Sequence, residues 1–165
     1  MNAPIATGLS YGTHPIIAHA ARAVSIALEK ANITQAESVL LFMTPEYSED
    51  AEAAVRLAGR TAGCLQVSGC IGYGILTNQD WILDSPGVAA MVFGNGAAIS
   101  PITSSAADAV ISFSTPHDFN PNWLHDTTPH IGAIASDPLG QGNYKHWQGS
   151  QIKTNSCVEL GITNV

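Results

Sequence analysis

Residues 38–44 read Ser-Val-Leu-Leu-Phe-Met-Thr, and this run is the strongest indicator of the fold class. Five consecutive apolar side chains between polar neighbours are typical of a strand buried on both faces, because a strand with one wet face alternates apolar and polar residues. Such strands occur in sheets that are covered on both sides. The run therefore predicts an α/β protein.

Two helices are predicted around this strand. Before it, Thr13 is placed to cap a helix and Pro15 suits a first turn. Apolar residues then recur at helical spacing at 17, 20, 21, 24, 27, 28 and 31. After it, Ser48 and the acidic residues that follow indicate a second helix start, and Gly63 indicates its end.

The order of elements predicts the topology. With a strand over residues 3–10 and another before residue 68, the chain reads strand, helix, strand, helix, strand, which predicts two right-handed βαβ units. We expect a single domain over residues 1–165, with a mixed, mostly parallel sheet and flanking helices. Asn95-Gly96 predicts an antiparallel hairpin near residues 88–103. Further strands are expected at 109–114, 131–136 and 152–162, with a short helix at 121–126. No internal repeat is visible.

Composition excludes several classes of function. The net charge is −7 with only six Lys and Arg in 165 residues, so the chain has little means of binding nucleic acid or an anionic membrane. Three irregularly spaced cysteines indicate neither a disulfide framework nor a zinc site. The N-terminus does not resemble a signal peptide, and no apolar run is long enough for a membrane helix. We expect a cytoplasmic protein.

The glycine-rich stretch 68–74, Ser-Gly-Cys-Ile-Gly-Tyr-Gly, is the first candidate ligand site. It follows the third predicted strand, where open α/β sheets bind ligands. Gly69 would allow close backbone approach, while Cys70 and Tyr73 would supply polar atoms. A glycine-rich bend packed against a neighbouring element, with Cys70 as a small buried hydrophobe, is the alternative.

A second candidate is the end of the first strand. Ser10 and Tyr11 precede a predicted helix N-terminus, which suits an anionic group. They would join the first site if the first and third strands were neighbours. The histidines at 117, 125 and 130 lack metal-ligand spacing, and His146 is isolated. No nucleophile elbow, phosphate loop or pair of catalytic carboxylates is present, so no cofactor, metal or catalytic residue is expected.

Four segments, in order, resemble the N-terminal FIST domain of bacterial signalling proteins. They are residues 8–13 before the Ala-rich helix, 39–45, 69–74, which is similar to the family's Gly-Cys-Ser-x-x-Gly turn, and 129–137, which is similar to its Gly-Gly-x-Ala-Ser segment. The resemblance covers nearly the whole chain. It implies a sensory domain that binds small molecules such as amino acids, with Ser136 as a further ligand contact.

The chain departs from the family at two points. Gly72 and Tyr73 replace residues more typical of the turn, which implies a different ligand. The family's C-terminal half does not follow Val165, so we expect either a stand-alone domain or a partner chain that supplies that half. A homodimer would cover the low-charge surface of the chain.

Two alternatives remain at this point. Residues 66–74 also resemble the turn that carries the nucleophilic cysteine of thiolases and ketoacyl synthases, and residues 91–98 resemble their Gly-Asp-Gly-Ala-Ala hairpin. Cys70 would then be acylated, although those enzymes are about twice this length. The other alternative is a protein-interaction domain.

Overall fold

The α/β class is confirmed, and the described residues form one α/β fold with two α-helices and three sheets. The computed structural model describes residues 4–102, 107–125, 127–136, 144–153 and 157–163. The helices are α1, Ala18–Ala31, and α2, Ala51–Ala62. The strands are β1 Ile5–Tyr11, β2 Ser38–Met43, β3 Val67–Cys70, β4 Gly74–Leu76, β5 Trp81–Leu83, β6 Gly87–Phe93, β7 Ala98–Pro101, β8 Ala109–Ser114, β9 His130–Ile134, β10 His146–Gln148, β11 Gln151–Lys153 and β12 Val158–Thr163.

The larger sheet has six strands in the order β1-β6-β2-β3-β10-β11. Its central strand is the apolar run of the sequence. Val39, Leu41 and Met43 of β2 pack in the cluster that contains α1 and α2, while Leu40 and Phe42 pack toward the second sheet. Both faces of β2 are therefore covered, which explains its unbroken apolar sequence.

The second sheet has four strands in the order β7-β12-β8-β9. Ile111 and Phe113 of β8 share a buried cluster with Leu40 and Cys70 of the larger sheet. The molecule thus has three layers, with helices, the six-stranded sheet and the four-stranded sheet stacked in that order. The rings of Phe42 and Phe113 meet edge to face with centroids 5.5 Å apart and join the two sheets.

A two-stranded hairpin, β4–β5, covers the remaining end of the larger sheet. Ile75 and Ile82 are 5% and 6% exposed. They pack with Ala89 of β6, against Leu9 and Phe42. This small cluster holds the hairpin beside the carboxyl ends of β2 and β3.

The prediction of a mostly parallel sheet was wrong. Only β2–β3 and β8–β9 are parallel among the described strand pairs, and the others are antiparallel. The second βαβ unit, β2-α2-β3, forms as expected. In the first, β1 and β2 run in the same direction but do not pair, because β6 returns from later in the chain and lies between them, antiparallel to both.

The hairpin predicted near residues 88–103 was also wrong. Asn95 and Gly96 do have positive φ angles of 49° and 97°, as the turn chemistry predicts. The strands on either side enter different sheets, because β6 pairs with β1 and β2 while β7 pairs with β12. The turn therefore carries the chain from one sheet to the other.

Helix ends follow the sequence more closely than helix starts. Gly63 ends α2 in the left-handed conformation, as predicted, and Asn32 does the same for α1. Neither helix has a side-chain cap. Helix α1 begins at Ala18, five residues beyond the predicted cap Thr13. Helix α2 begins at Ala51 and not at Ser48. Ser48 instead closes a 3₁₀ turn, Pro45–Tyr47, by donating its N–H to the Pro45 carbonyl. No helix in the described part of the chain is long and apolar enough to cross a bilayer.

Candidate functional site

A cleft of about 400 Å³ opens between the carboxyl ends of β2 and β3, the β4–β5 hairpin and the end of β9. Its wall is mainly apolar, and its volume falls in the range of small-molecule sites. Three residues of the sequence prediction contribute to it, namely Cys70, Tyr73 and Ser136. The other lining residues are Phe42, Gly72, Gly74, Ile75, Leu76, Ala133 and Ile134.

Tyr73 and Ser136 are joined by hydrogen bonds although they lie on different parts of the chain. The Tyr73 backbone N–H donates to Ser136 Oγ at 3.3 Å. The Ser136 N–H in turn donates to the Ile71 carbonyl at 3.3 Å. These bonds fix the Ser136 hydroxyl at the edge of the cleft, so a polar group is held in place beside an otherwise apolar wall.

The Tyr73 hydroxyl is directed to the loop that follows β5. It donates to Asp84 Oδ1 at 2.7 Å, and Asp84 itself has a positive φ of 59°. The hydrogen bond to Asp84, followed by the negative charge of that carboxylate, raises the pKa of Tyr73. The phenol therefore stays neutral and acts as a hydrogen-bonding group at the mouth of the cleft.

Cys70 lies at the back of the cleft and is only 1% exposed. Burial raises the pKa of its thiol to about 12. The thiolate is the nucleophilic form of cysteine, so Cys70 at neutral pH is a neutral side chain. This environment gives no support to the acyl-transfer alternative.

His146 is a neighbour of Cys70 that the sequence did not reveal. The two residues lie opposite each other in the antiparallel pairing of β3 and β10, and His146 is fully buried. Strand β10 was not predicted, because residues 146–148 are too few to show a period. The pairing places His146 beside Cys70 on neighbouring strands, and burial raises the pKa of the Cys70 thiol.

Gly69 serves the packing of the sheet. Its φ is +151°, and a Cβ at this position would lie 1.9 Å from the Leu41 carbonyl oxygen. Gly69 therefore allows β3 to approach β2 closely and does not line the cleft. The glycine-rich stretch therefore combines a close contact between strands at Gly69 with a cleft wall at Cys70 and Tyr73.

Ser10 and Tyr11 are not brought to this cleft. Strands β6 and β2 lie between β1 and β3, which places β1 about 14 Å from β3 at three strand spacings. The buried Ser10 hydroxyl lies 2.8 Å from His19 Nδ1, and Tyr11 is 58% exposed. The condition set for joining the two candidate sites, that β1 and β3 be neighbours, is not met.

The residues that sequence reasoning missed are apolar. Phe42 lies near the end of β2, Ile75 and Leu76 belong to the hairpin, and Ala133 and Ile134 end β9. A cleft wall of this kind has no local signature in a sequence, because its members come from four separate strands. The hairpin itself was missed because each of its strands has only three residues.

No three His, Cys, Asp or Glu side chains in the described ranges are placed to hold a metal ion. His130 instead stacks on Trp123, with centroids 5.6 Å apart and an interplanar angle of 13°. Asp126, at the end of the predicted short helix, and Asp137, at the end of the FIST-like segment, lie outside the described residues.

A second cavity of about 400 Å³ lies at the C-terminal end of α2 and is lined by Arg56, Arg60, Leu65 and Ser150 among others. Arg56 is paired with Glu52 at 2.5 Å. The last carbonyls of a helix carry partial negative charge, which opposes an anionic ligand there. This cavity also has none of the predicted site residues, so we regard the cleft as the candidate site.

Comparison of the chain with protein-family models, with curated proteins and with solved structures gave no match.

Proposed function

We propose that this chain is a non-enzymatic sensory domain that binds a small ligand, an amino acid or a similar metabolite, in bacterial signal transduction. The observation that carries the proposal is the cleft, which gathers Cys70, Tyr73 and Ser136 from separate FIST-like segments around an apolar space of about 400 Å³. The same three residues are those that the resemblance and the glycine-rich turn assign to ligand contact.

The chemistry of the cleft supports binding and not catalysis. Its polar groups are a fixed serine hydroxyl, a neutral phenol and a protonated thiol. None of these is a general base at neutral pH, whereas a catalytic site usually contains a titratable group with a pKa near the working pH. An apolar wall with few fixed polar groups is typical of a ligand site.

Ligand binding is tested by thermal shift of the purified protein against free amino acids, related metabolites and acyl-coenzyme A compounds. A ligand present at about one hundred times its dissociation constant stabilises the folded state by about 2.7 kcal/mol, which raises the midpoint by several degrees. We expect a shift with an amino acid or a related metabolite. Covalent mass gain on Cys70 with acyl-coenzyme A would contradict the proposal.

Variants locate the ligand. Ala133→Leu fills the cleft without removing a hydrogen bond, and we expect it to abolish the shift. Ser136→Ala removes the fixed hydroxyl and should weaken binding about tenfold, as expected for one hydrogen bond within a site. Leu65→Ala lies in the second cavity, and Leu65 is 77% exposed. This control should bind like the unaltered protein, and loss of binding in Leu65→Ala alone would place the ligand elsewhere.

A further inference from the structure

The two larger sheets contain the same four-strand unit. The units are β1-β6-β2-β3 and β7-β12-β8-β9, written in their order across the sheet. In each, the strand that comes first in the chain lies at one side, and the strand that comes last in the chain lies next to it. The second and third strands of the chain follow as a parallel pair. Each half of the chain therefore has the same strand order and the same directions. The helices of the first half have no counterpart of similar length among the described residues of the second half.

The correspondence extends to individual hydrogen bonds. Val39 N–H donates to the Gln66 carbonyl at 2.8 Å, and Val110 N–H donates to the Pro129 carbonyl at 2.9 Å. At the other end of each strand pair, Gly72 N–H donates to the Met43 carbonyl at 3.0 Å, and Ala135 N–H donates to the Ser114 carbonyl at 2.8 Å. Strand β9 therefore corresponds to β3, and β8 to β2, residue by residue.

Two glycines occupy corresponding positions in the two repeats. Gly132 occupies the position in β9 that Gly69 occupies in β3. A Cβ on Gly132 would lie 1.9 Å from the Ser112 carbonyl oxygen, just as one on Gly69 would lie 1.9 Å from Leu41. Tyr73 and Ser136 also correspond, and they meet through a hydrogen bond. The cleft thus lies where the two repeats face each other.

The outer edge of β3 is occupied by another strand of the chain. Ile71 N–H donates to the Lys145 carbonyl at 2.9 Å, and the Val67 carbonyl accepts from Ser150 N–H at 3.0 Å. Trp147 of β10 lies opposite Gly69 between these bonds. In the first repeat, the backbone groups of alternate β3 residues are therefore used to extend the sheet.

The corresponding edge of β9 pairs with no strand in the described part of the chain. Because Pro129 and Ala135 bond to β8, alternation along the strand directs the backbone N–H and C=O of Gly132 and Ile134 away from β8. Ile134 is also 47% exposed. At Gly132 and Ile134, β9 thus pairs with no described strand and has the register that β3 uses at Gly69 and Ile71 to receive β10.

Two cavities flank this edge, one on each face of β9. The cleft lies on the side of Ala133 and the other sheet. A cavity of about 230 Å³ on the second side is lined by Phe119, Trp123 and Gly132, with other β9 residues. Side chains of a strand added at this edge would point alternately into the two cavities. Main-chain pairing with alternating side-chain pockets is a known mode of peptide recognition.

We infer that β9 binds an extended peptide as an added strand, with apolar side chains at alternate positions and basic residues at its ends. Among the described residues, both cavity walls lack Lys, Arg, Asp and Glu, which favours apolar side chains inside them. The basic residues are therefore placed at the peptide ends, outside the cavities, where the net charge of −7 of the chain attracts them. A second copy of this chain would bring its own −7 to the edge and is disfavoured. The inference rests on the proposed function in that the cleft receives one side chain of the peptide.

The test uses a synthetic octapeptide with valine and threonine alternating between terminal lysines, and two isomers that are N-methylated on the valines or on the threonines. Binding is measured by calorimetry, and hydrogen exchange is followed at the Gly132 and Ile134 amides. We expect the peptide to protect both amides from exchange. One N-methylated isomer should bind with an affinity about tenfold or more lower, and the other with nearly unchanged affinity, because only one edge of the peptide pairs with β9. Equal binding of both isomers, or no protection at millimolar peptide, would overturn the inference.

Two variants of the protein complete the test. Ile134→Pro removes an outward N–H, which an edge strand tolerates, and should weaken peptide binding about tenfold. Ile134→Val keeps the N–H and should bind normally. Metabolite binding by the unaltered protein, together with no binding of the peptide, would retain the proposed function and reject the peptide. If the unaltered protein self-associates and Ile134→Pro does not, the edge of β9 binds a second copy of the chain, and the peptide is rejected in that case as well.

Discussion

At the scale of single residues, the site combines side chains that are held by neighbours with glycines that let backbones approach. The Ser136 hydroxyl is fixed by the Tyr73 N–H, and the Tyr73 hydroxyl by Asp84. Gly69 sets the position of the whole turn, because its Cα faces the Leu41 carbonyl. The shape of the cleft thus depends in part on Gly69, which does not line it.

We expect Gly69→Ala to destabilise the fold by about 3 kcal/mol or more, since it adds both a backbone clash and strain at positive φ. Gly72→Ala is the matched control, because its Cβ would meet only the Gly74 carbonyl at 3.4 Å. That variant should stay within about 0.5 kcal/mol of the unaltered protein. Urea denaturation measures the free energy of unfolding of both variants. Similar values for the two would show that a glycine is not required at position 69.

His19 makes stability depend on pH. Burial, followed by the positive charge of Arg22, lowers the pKa of His19 below its ordinary value of about 6.5. The unfolded chain then binds a proton that the folded chain binds less readily, so the free energy of unfolding falls as the pH drops from about 6.5 toward the folded pKa.

Chemical denaturation at pH 7.5 and pH 5.5 checks this effect. We expect His19→Gln to lose less stability between the two values than the unaltered protein, because the carboxylates are common to both. His14→Gln, at an exposed position, should behave like the unaltered protein. An unchanged pH slope in His19→Gln would exclude His19 as the cause.

At the scale of elements, the β4–β5 hairpin is the least anchored wall of the cleft. Its buried contacts are Ile75 and Ile82 against Ala89, with Leu9 and Phe42 at the border. Helices α1 and α2 instead pack over the central strands in the largest cluster. Local opening free energies are lowest where buried apolar contacts are few, so this hairpin is the wall most able to admit a ligand.

We expect Ile82→Ala to cost about 2 kcal/mol, the lower end for such a change, because the cluster lies at the border of the fold. Hydrogen exchange should accelerate at Ile75, whose strand pairs with that of Ile82. Exchange at Leu41, in the centre of the larger sheet, should change only with global stability. Equal acceleration at both positions would mean that the hairpin does not open separately.

At the scale of the whole molecule, the contact between the two sheets holds the cleft together. Phe42 and Phe113 are corresponding residues of the two repeats, and their rings meet edge to face. Each is the penultimate residue of its strand. The aromatic pair is therefore one of the contacts that hold the two sheets together.

A double-mutant cycle tests this contact. Phe42→Leu and Phe113→Leu should each destabilise the protein, with a coupling of about 0.5–1.5 kcal/mol between them. Phe42→Leu with Val24→Ala is the control, because Val24 packs in the helix-side cluster and distant changes add within about 0.5 kcal/mol. Coupling no larger than in the control would show that the two sheets are not joined through this pair.

The sequence by itself determined the elements whose stability is local or whose pattern is long. The apolar run of β2, the helical stripes of α1 and α2 and the stop at Gly63 could all be predicted, because burial and helix termination leave a period or a particular residue in the chain. Cys70, Tyr73 and Ser136 were predicted from motifs and meet in one cleft.

Only the tertiary structure decided how the strands are ordered and what else lines the cleft. Strand β6 enters between β1 and β2 from a distant part of the chain, and this separates Ser10 and Tyr11 from Cys70. Asn95-Gly96 has the turn conformation of a hairpin without its strand pairing, because the partners of β6 and β7 come from elsewhere. The repeat could not be predicted from the sequence, because backbone hydrogen bonds fix strand order and register without requiring similar side chains. Leu41 and Ser112 therefore occupy equivalent positions although their side chains differ.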